Sequence, residues 1–252
     1  MQWKKTMNDE VKINDDERVD SLRVQKMQII QKEGQFSFSV DAVLLAHFAM
    51  LKQAASVADL GTGTGIIALL MAWRGAKKVA AVEINPIMAE VAARSVKLNS
   101  LENTISIHNI DIKDVREHFP SGGCDLVVSN PPYRQVKEGE QSQNDFLAMA
   151  RHEVRATLED VVSAAKYLLK FRGRFAMVHL PERLTDIMTA MRAASIEPKR
   201  LRMVHGSRDK RPGMVLIEGV SGGSAGNLIV EPPLFIYGDD GSYTPEVLQY
   251  YY

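Results

Sequence analysis

The segment Asp125 to Gln135 reads DLVVSNPPYRQ, an apolar strand that ends on Ser129, Asn130, Pro131, Pro132 and Tyr133. Proline lacks a backbone N–H, locks φ and holds the residue before it in extended geometry, so Pro131 and Pro132 stiffen the chain around one amide side chain. An amide oxygen and a neighbouring carbonyl at a fixed angle form a pair of hydrogen-bond acceptors, and the ring of Tyr133 offers a flat face. Upstream, ADLGTGTGIIALLMA places Gly61, Gly63 and Gly65 between an apolar run and a helical pattern, with Asp59 ahead of them. Such a turn either lets the backbone approach a ligand at the carboxyl edge of an open sheet or lets a helix pack closely on a strand. A dinucleotide fingerprint requires glycine where this chain has Ile66, so the spacing is G-x-G-x-G. Glu83 ends the next apolar run in VEINP, where a carboxylate can accept hydrogen bonds from both hydroxyls of a ribose. Asn85, directly before Pro86, is the better cap for the helix that follows.

These residues need a scaffold that brings them to one edge. The short apolar runs SVADLG (56–61), KVAAVEI (78–84), ISIHNID (105–111), CDLVVSN (124–130) and RFAMVHL (174–180) suit buried parallel strands, and helical patterns lie between most of them. PIMAEVAARSVKLN, LEDVVSAAKYLLK and ERLTDIMTAMRAAS supply three of those helices. RLRMVHG and GMVLIEG, separated by a short loop, suit an antiparallel hairpin at the end of the sheet. The expected fold is α/β and Rossmann-like: a mostly parallel seven-stranded sheet with an antiparallel terminal hairpin strand and helices on both faces. Residues 1–21 are a polar segment expected to be disordered, and 22–252 are expected to form one domain. That domain opens with a hairpin turning near Gly34 and a helix, VDAVLLAHFAML, capped by Ser39. The tail LIVEPPLFIYGDDGSYTPEVLQYYY reads as an extended surface segment.

The glycine spacing with its preceding Asp59 resembles motif I of class I S-adenosylmethionine-dependent methyltransferases, and with NPPY the chain resembles amino-methyltransferases of the N-P-P-Y type. Within these it looks most like the tRNA1(Val) adenine-N6 methyltransferase family. FSFSVDAVLLA, ARHE at 150–153, RPGMVLIEG, PPLFIY and YTPEV carry that further likeness, which covers nearly the whole chain from about residue 22. The resemblance implies S-adenosylmethionine as cofactor, held by Asp59, Gly61, Thr62, Gly63, Gly65, Glu83, Asp111 and Asn130. Asp111 would reach the adenine amino group of that cofactor; it is equally well placed as a helix cap. The resemblance also implies catalysis by Asn130, Pro131, Pro132 and Tyr133 on an adenine of tRNA beside the anticodon. An exocyclic amino nitrogen is a poor nucleophile because its lone pair is delocalised. If the Asn130 oxygen and the Pro131 carbonyl each accept one N–H, that lone pair turns toward the sulfonium methyl, and Tyr133 can stack on the flat substrate.

Composition limits the partners. The 252 residues have 45% hydrophobic and 25% charged content, ordinary for a globular chain, and zero net charge argues against a uniformly basic coat. Charge is nevertheless uneven. Residues 192–211 hold Arg192, Lys199, Arg200, Arg202, Arg208, Lys210 and Arg211 against Glu197 and Asp209, and residues 212–252 hold no lysine or arginine. Arg200, Arg202, Arg208, Lys210 and Arg211 are the candidate RNA contacts; a solvated charged face is the plainer alternative. The single Cys124, the lack of an apolar leader and the shortness of the apolar runs suggest a reduced, cytoplasmic chain with no membrane role, and the histidines show no metal-ligand spacing. Residues 134–150 read as a mobile loop over the substrate, and His152 and Glu153 as either entrance residues or a helix start. Phe36 and Phe38 read as core. Protein glutamine-N5 methylation, ribosomal RNA guanine-N2 methylation and a non-catalytic RNA-binding module are the competing functions.

Overall fold

The computed structural model describes residues 11–22, 27–33, 40–131 and 156–251. Pro132, Tyr133, the 134–150 segment, His152, Glu153, Gly34, Phe36, Phe38 and Ser39 lie outside them. Near the amino end come β1 (Glu17–Leu22), β2 (Met27–Lys32) and α1 (Val40–Phe48). The alternating series follows: β3 (Ser56–Leu60), α2 (Ile66–Trp73), β4 (Lys78–Val82), α3 (Pro86–Leu98), β5 (Ile105–His108), α4 (Val115–His118) and β6 (Cys124–Ser129). After it come α5 (Leu158–Leu168), β7 (Leu169–His179), α6 (Leu184–Ala193), β8 (Ile196–His205) and β9 (Pro212–Ser221). Two short strands, β10 (Ile229–Val230) and β11 (Leu234–Phe235), and α7 (Pro245–Gln249) complete the described chain.

The central sheet runs β10-β8-β9-β7-β6-β3-β4-β5, with β11 also on β8. All pairings are parallel except those of β9, which lies antiparallel between β7 and β8. The expected antiparallel hairpin is therefore present at that end of the sheet, with β9 paired to β7 and β8 outside it. Among the described residues the sheet has nine strands, the seven expected and the short β10 and β11 that extend it. Both additions are two residues long and are separated by Pro232 and Pro233, whose missing N–H groups cannot continue a ladder.

Burial on both faces explains the unbroken apolar runs. In β6, Leu126 and Val128 pack with α1 and α2 on one face, and Val127 packs with α5 and α6 on the other. The register sets the functional edge. Val82 lies opposite Leu60 and His108, Leu60 opposite Ser129, and Ser129 opposite Met177. The first residues beyond β5, β4, β3 and β6, namely Asn109, Glu83, Gly61 and Asn130, consequently emerge level, about 5 Å from neighbour to neighbour.

The amino-terminal hairpin differs from expectation. Its register, from Glu17↔Lys32 to Leu22↔Met27, places the reversal between Leu22 and Met27 rather than near Gly34. The strand β1 also begins inside the polar stretch expected to be disordered. Its polarity hid it because Glu17 is buried by a partner instead of by apolar neighbours: the Arg94 guanidinium of α3 donates to both carboxylate oxygens at 2.6 and 2.7 Å. That pair holds the Glu17 carboxyl at about 2, well below the usual glutamate range.

Glu218 of β9 anchors the opposite edge. Its fully buried carboxylate accepts from the Met50 N–H at 2.7 Å and from Arg174 at 2.7 Å, with Arg200 at 3.2 Å. These contacts join the end of α1 to β7, β9 and β8. Removing one member of a buried ion network leaves the others uncompensated, at about 3–5 kcal/mol. Glu218→Ala should therefore lower the urea midpoint by an amount equivalent to about 3 kcal/mol or more, while a Lys113→Ala control on an exposed ion pair should change it by less than about 1 kcal/mol.

Candidate active site

Asp59, the fourth residue of β3, is fully buried and accepts a hydrogen bond from Thr62 Oγ1 at 2.5 Å, which closes the glycine turn on the strand. The Gly61 and Thr62 N–H groups both donate to the Val82 carbonyl, at 2.9 and 3.0 Å, tying that turn to β4. Gly61 and Gly63 have φ of 76° and 57°, a region that side chains disfavour. A Cβ on either would meet nothing within 4 Å among the described residues. Close helix packing is thus not what requires these two glycines. The backbone conformation is, and it leaves the outer side of the turn open. Gly65, at φ 88°, opens α2 and faces Ala92 at ordinary contact distance.

Glu83 joins the turns. One carboxylate oxygen accepts from the Gly63 N–H at 2.8 Å and the other from the Asn85 N–H at 3.0 Å. Asn85 caps α3, accepting from the Ile87 and Met88 N–H groups, in keeping with its place before Pro86. Asn109 has no assigned role in the sequence reading. Its amide donates to the Glu83 and Ile84 carbonyls at 2.8 and 3.0 Å, fastening the end of β5 to the same turn. An asparagine directly after an apolar run is the signal the sequence offers for it. Asp111 caps the short helical turn that follows it: it accepts from the Lys113 N–H at 3.0 Å and pairs with Lys113 Nζ at 3.1 Å.

Ser129 Oγ donates to the Leu60 carbonyl at 2.8 Å, so β6 is pinned to β3 immediately before Asn130 and Pro131. Both of these residues are half-buried at the sheet edge, one strand away from Gly61. His179 ends β7 on the other side of β6. It is buried, accepts the Leu180 N–H on Nδ1 at 2.7 Å, and burial moves its pKa below the ordinary imidazole value.

The basic candidates divide into two groups. Arg200 bonds Glu231 at 2.8 Å and stacks over Phe48, with its guanidinium carbon 4.4 Å from the ring centroid. Arg202 grips Glu246 through two bonds of 2.6 and 3.0 Å and donates to the Pro232 carbonyl at 2.9 Å. Both arginines are engaged within the fold, where they fasten the carboxyl-terminal tail to β8. Arg208, Lys210 and Arg211 are exposed in the β8–β9 loop, at the same sheet edge as Asn130. Among the described residues no group of His, Cys, Asp or Glu has metal-ligand geometry, and no helix is long and apolar enough to cross a membrane.

Burial raises the Asp59 carboxyl to about 7; the Thr62 hydroxyl opposes this and the charge of Glu83 adds to it. The folded chain therefore holds this proton more tightly than the unfolded chain does. Folding stability should fall as pH rises from about 4 to about 7 and level off above that. Asp59→Asn should remove this dependence. Denaturation midpoints of variant and wild type should coincide near pH 4 and separate toward pH 7, the variant becoming the more stable; an offset that does not change with pH would contradict the assignment.

The methyltransferase small domain family model matches residues 26–189. A tRNA1(Val) (adenine(37)-N6)-methyltransferase of Porphyromonas gingivalis is 33% identical over 220 residues, 83% of this chain and 84% of that protein. The protein of the same name from Parabacteroides distasonis is 30% identical over 71% of this chain and 74% of its own length. Among solved structures, a predicted O-methyltransferase, protein Atu636 from Agrobacterium tumefaciens, superposes with a TM-score of 0.68 at 22% identity, over 84% of this chain and 95% of that one, which supports the fold. A glycine turn, an acidic strand end and an Asn-Pro end lying level on one sheet edge suit the same conclusion: the chain belongs to the methyltransferase small domain family, alongside the tRNA1(Val) (adenine(37)-N6)-methyltransferases.

Proposed function

We propose that this protein transfers the methyl group of S-adenosylmethionine to N6 of an adenine in tRNA, at the position beside the anticodon of a valine tRNA. The observation that carries the reading is the level emergence of Glu83, Gly61 and Asn130 from adjacent strands, which puts an open glycine turn and an acidic strand end beside the Asn130–Pro131 acceptors. The names of the relatives support the adenine and the tRNA. A tRNA substrate implies action in the cytoplasm.

The residues present fit the cofactor. The open side of Gly61 and Gly63 admits a ligand against backbone, and the Glu83 carboxylate stands at the lip of that turn to take ribose hydroxyls. Asp59 and Thr62 hold the turn from beneath. When bound, S-adenosylmethionine supplies an electrophilic methyl group on a sulfonium centre. The Asn130 side-chain oxygen and the Pro131 carbonyl then accept the two N–H groups of the adenine amine and orient its lone pair. Pinning of β6 by Ser129 fixes that angle, and catalysis rests on directed hydrogen bonds rather than on a strong base. From the sequence, Pro132 continues the stiff segment and Tyr133 stacks on the base. Arg208, Lys210 and Arg211 take phosphates.

Two variants separate binding from transfer. Glu83→Ala should weaken S-adenosylmethionine binding at least about tenfold by calorimetry, since charge-assisted bonds are worth about 1.5–3 kcal/mol each. Asn130→Ala should bind the cofactor normally yet slow single-turnover transfer by orders of magnitude. Digested product tRNA should contain N6-methyladenosine; label in a release factor or in ribosomal RNA instead would overturn the substrate.

Replacing Arg208, Lys210 and Arg211 together with glutamine should weaken tRNA binding and lessen the salt slope by about 0.7–0.9 for each phosphate no longer neutralised, with cofactor affinity unchanged. An unaltered slope would reduce these residues to a solvated face.

A further inference from the structure

Three tyrosines of the tail form a column at the functional edge. The rings of Tyr237 and Tyr243 lie 5.3 Å apart at an interplanar angle of 14°, and those of Tyr243 and Tyr251 lie 5.7 Å apart at 8°. Tyr251 is the inner member, half-buried near Asp41 at the start of α1. Tyr237 is the outer member and 42% exposed. The column is rigid before any partner arrives. The Tyr237 N–H donates to the Gly206 carbonyl at 2.9 Å, and Tyr237 bridges Tyr243 across a tight turn. Thr244 bonds the Phe235 carbonyl through its hydroxyl at 2.7 Å, and the Arg202–Glu246 fork clamps α7 to β8.

Tyr237 lies beside the β8–β9 loop. Gly206 leads into the loop that carries Arg208, Lys210 and Arg211; the Lys210 stem lies against Gly206, and Arg208 lies 6.0 Å from the Phe235 ring. Asp209 and Asp239, both exposed, offset part of this charge, and Asp240 is turned into its own loop, bonded to Ser242. Net charge on the patch is therefore small, and affinity there has to come largely from a flat contact. From Asn130 the patch is four strand spacings along the edge, through β7, β9, β8 and β11, or about 19 Å. That separation is too great for the nucleotide being methylated and suits another part of the same RNA arm.

We propose that Tyr237 is a stacking platform for an unpaired base of the tRNA, away from the target adenine, with the 208–211 loop receiving the adjoining phosphates. Three near-parallel rings whose outermost member is 42% exposed are continued naturally by a fourth flat ring, and any base has one. The inference rests on the tRNA reading above and adds a specificity contact to it: a free nucleoside reaches Asn130 without the platform, whereas a folded stem–loop engages both.

Steady-state methylation by the full chain, on valine tRNA and on a short adenosine-containing oligonucleotide, tests this. Tyr237→Leu keeps apolar cover on Tyr243 but has no aromatic face. It should raise KM for tRNA about five- to hundredfold, leave kcat and S-adenosylmethionine affinity unchanged, and spare the oligonucleotide. Tyr237→Trp should retain wild-type KM. A Tyr237→Leu variant with wild-type KM for tRNA would overturn the platform, as would an equal loss on tRNA and oligonucleotide, which marks a structural role. Wild-type protein that methylates no tRNA would instead overturn the function on which the platform rests. Thermal melts of both variants verify that they fold.

Discussion

Glu83 joins two turns that the sheet alone would leave independent. One oxygen takes the Gly63 N–H and the other the Asn85 N–H, so a single carboxylate sets both the glycine turn after β3 and the entry to α3. Asn109 braces the same point from β5. Backbone donors aimed at both oxygens of the carboxylate hold it in one orientation. The residue proposed to take a ribose is thereby also the residue that shapes the glycine turn. Buried Asp59 lies at the same turn, where burial raises its carboxyl to about 7.

Much of this is legible from the chain. Short apolar runs between helical patterns mark the strands of the series, because parallel strands buried on both faces need no alternation. Asn85 before Pro86 is a local cap, readable from two residues. What escapes depends on partners distant in sequence. Strand β1 looks like a polar tail because Glu17 is buried by Arg94 across a long separation. The early start of β7 at Leu169 is hidden in a continuous helical pattern, where a positive φ at Arg172 lets the chain change direction. The basic run is legible as charge but not as geometry: Arg200 and Arg202 face the tail, whereas Arg192 on α6 and Arg208, Lys210 and Arg211 in the loop are exposed.

Arg200 and Arg202 show how the tail is fixed to the sheet. Glu218 holds Arg200 from the sheet side and Glu231 holds it from the tail side, while Arg202 grips the helix that follows the tyrosine turn. Such buried and half-buried pairs contribute modestly to net stability, but their directionality fixes which of several apolar surfaces the tail covers. The result is a tail that presents aromatic rings where β8 ends and carries no positive charge of its own.

The interruption of the outer strands by Pro232 and Pro233 has a consequence for the protein in concentrated solution. A long, flat sheet border with free N–H and C=O groups invites a second chain to continue the ladder. Here one border is a pair of two-residue strands broken by prolines, and the other is the four-residue β5. Neither is long enough to template cross-chain β growth, even though Ile229 and Val230 stand 61% and 63% exposed on the outermost strand. Sticky side chains are thus set on a border that cannot propagate, which is protection against amyloid-like assembly obtained without sacrificing an apolar residue.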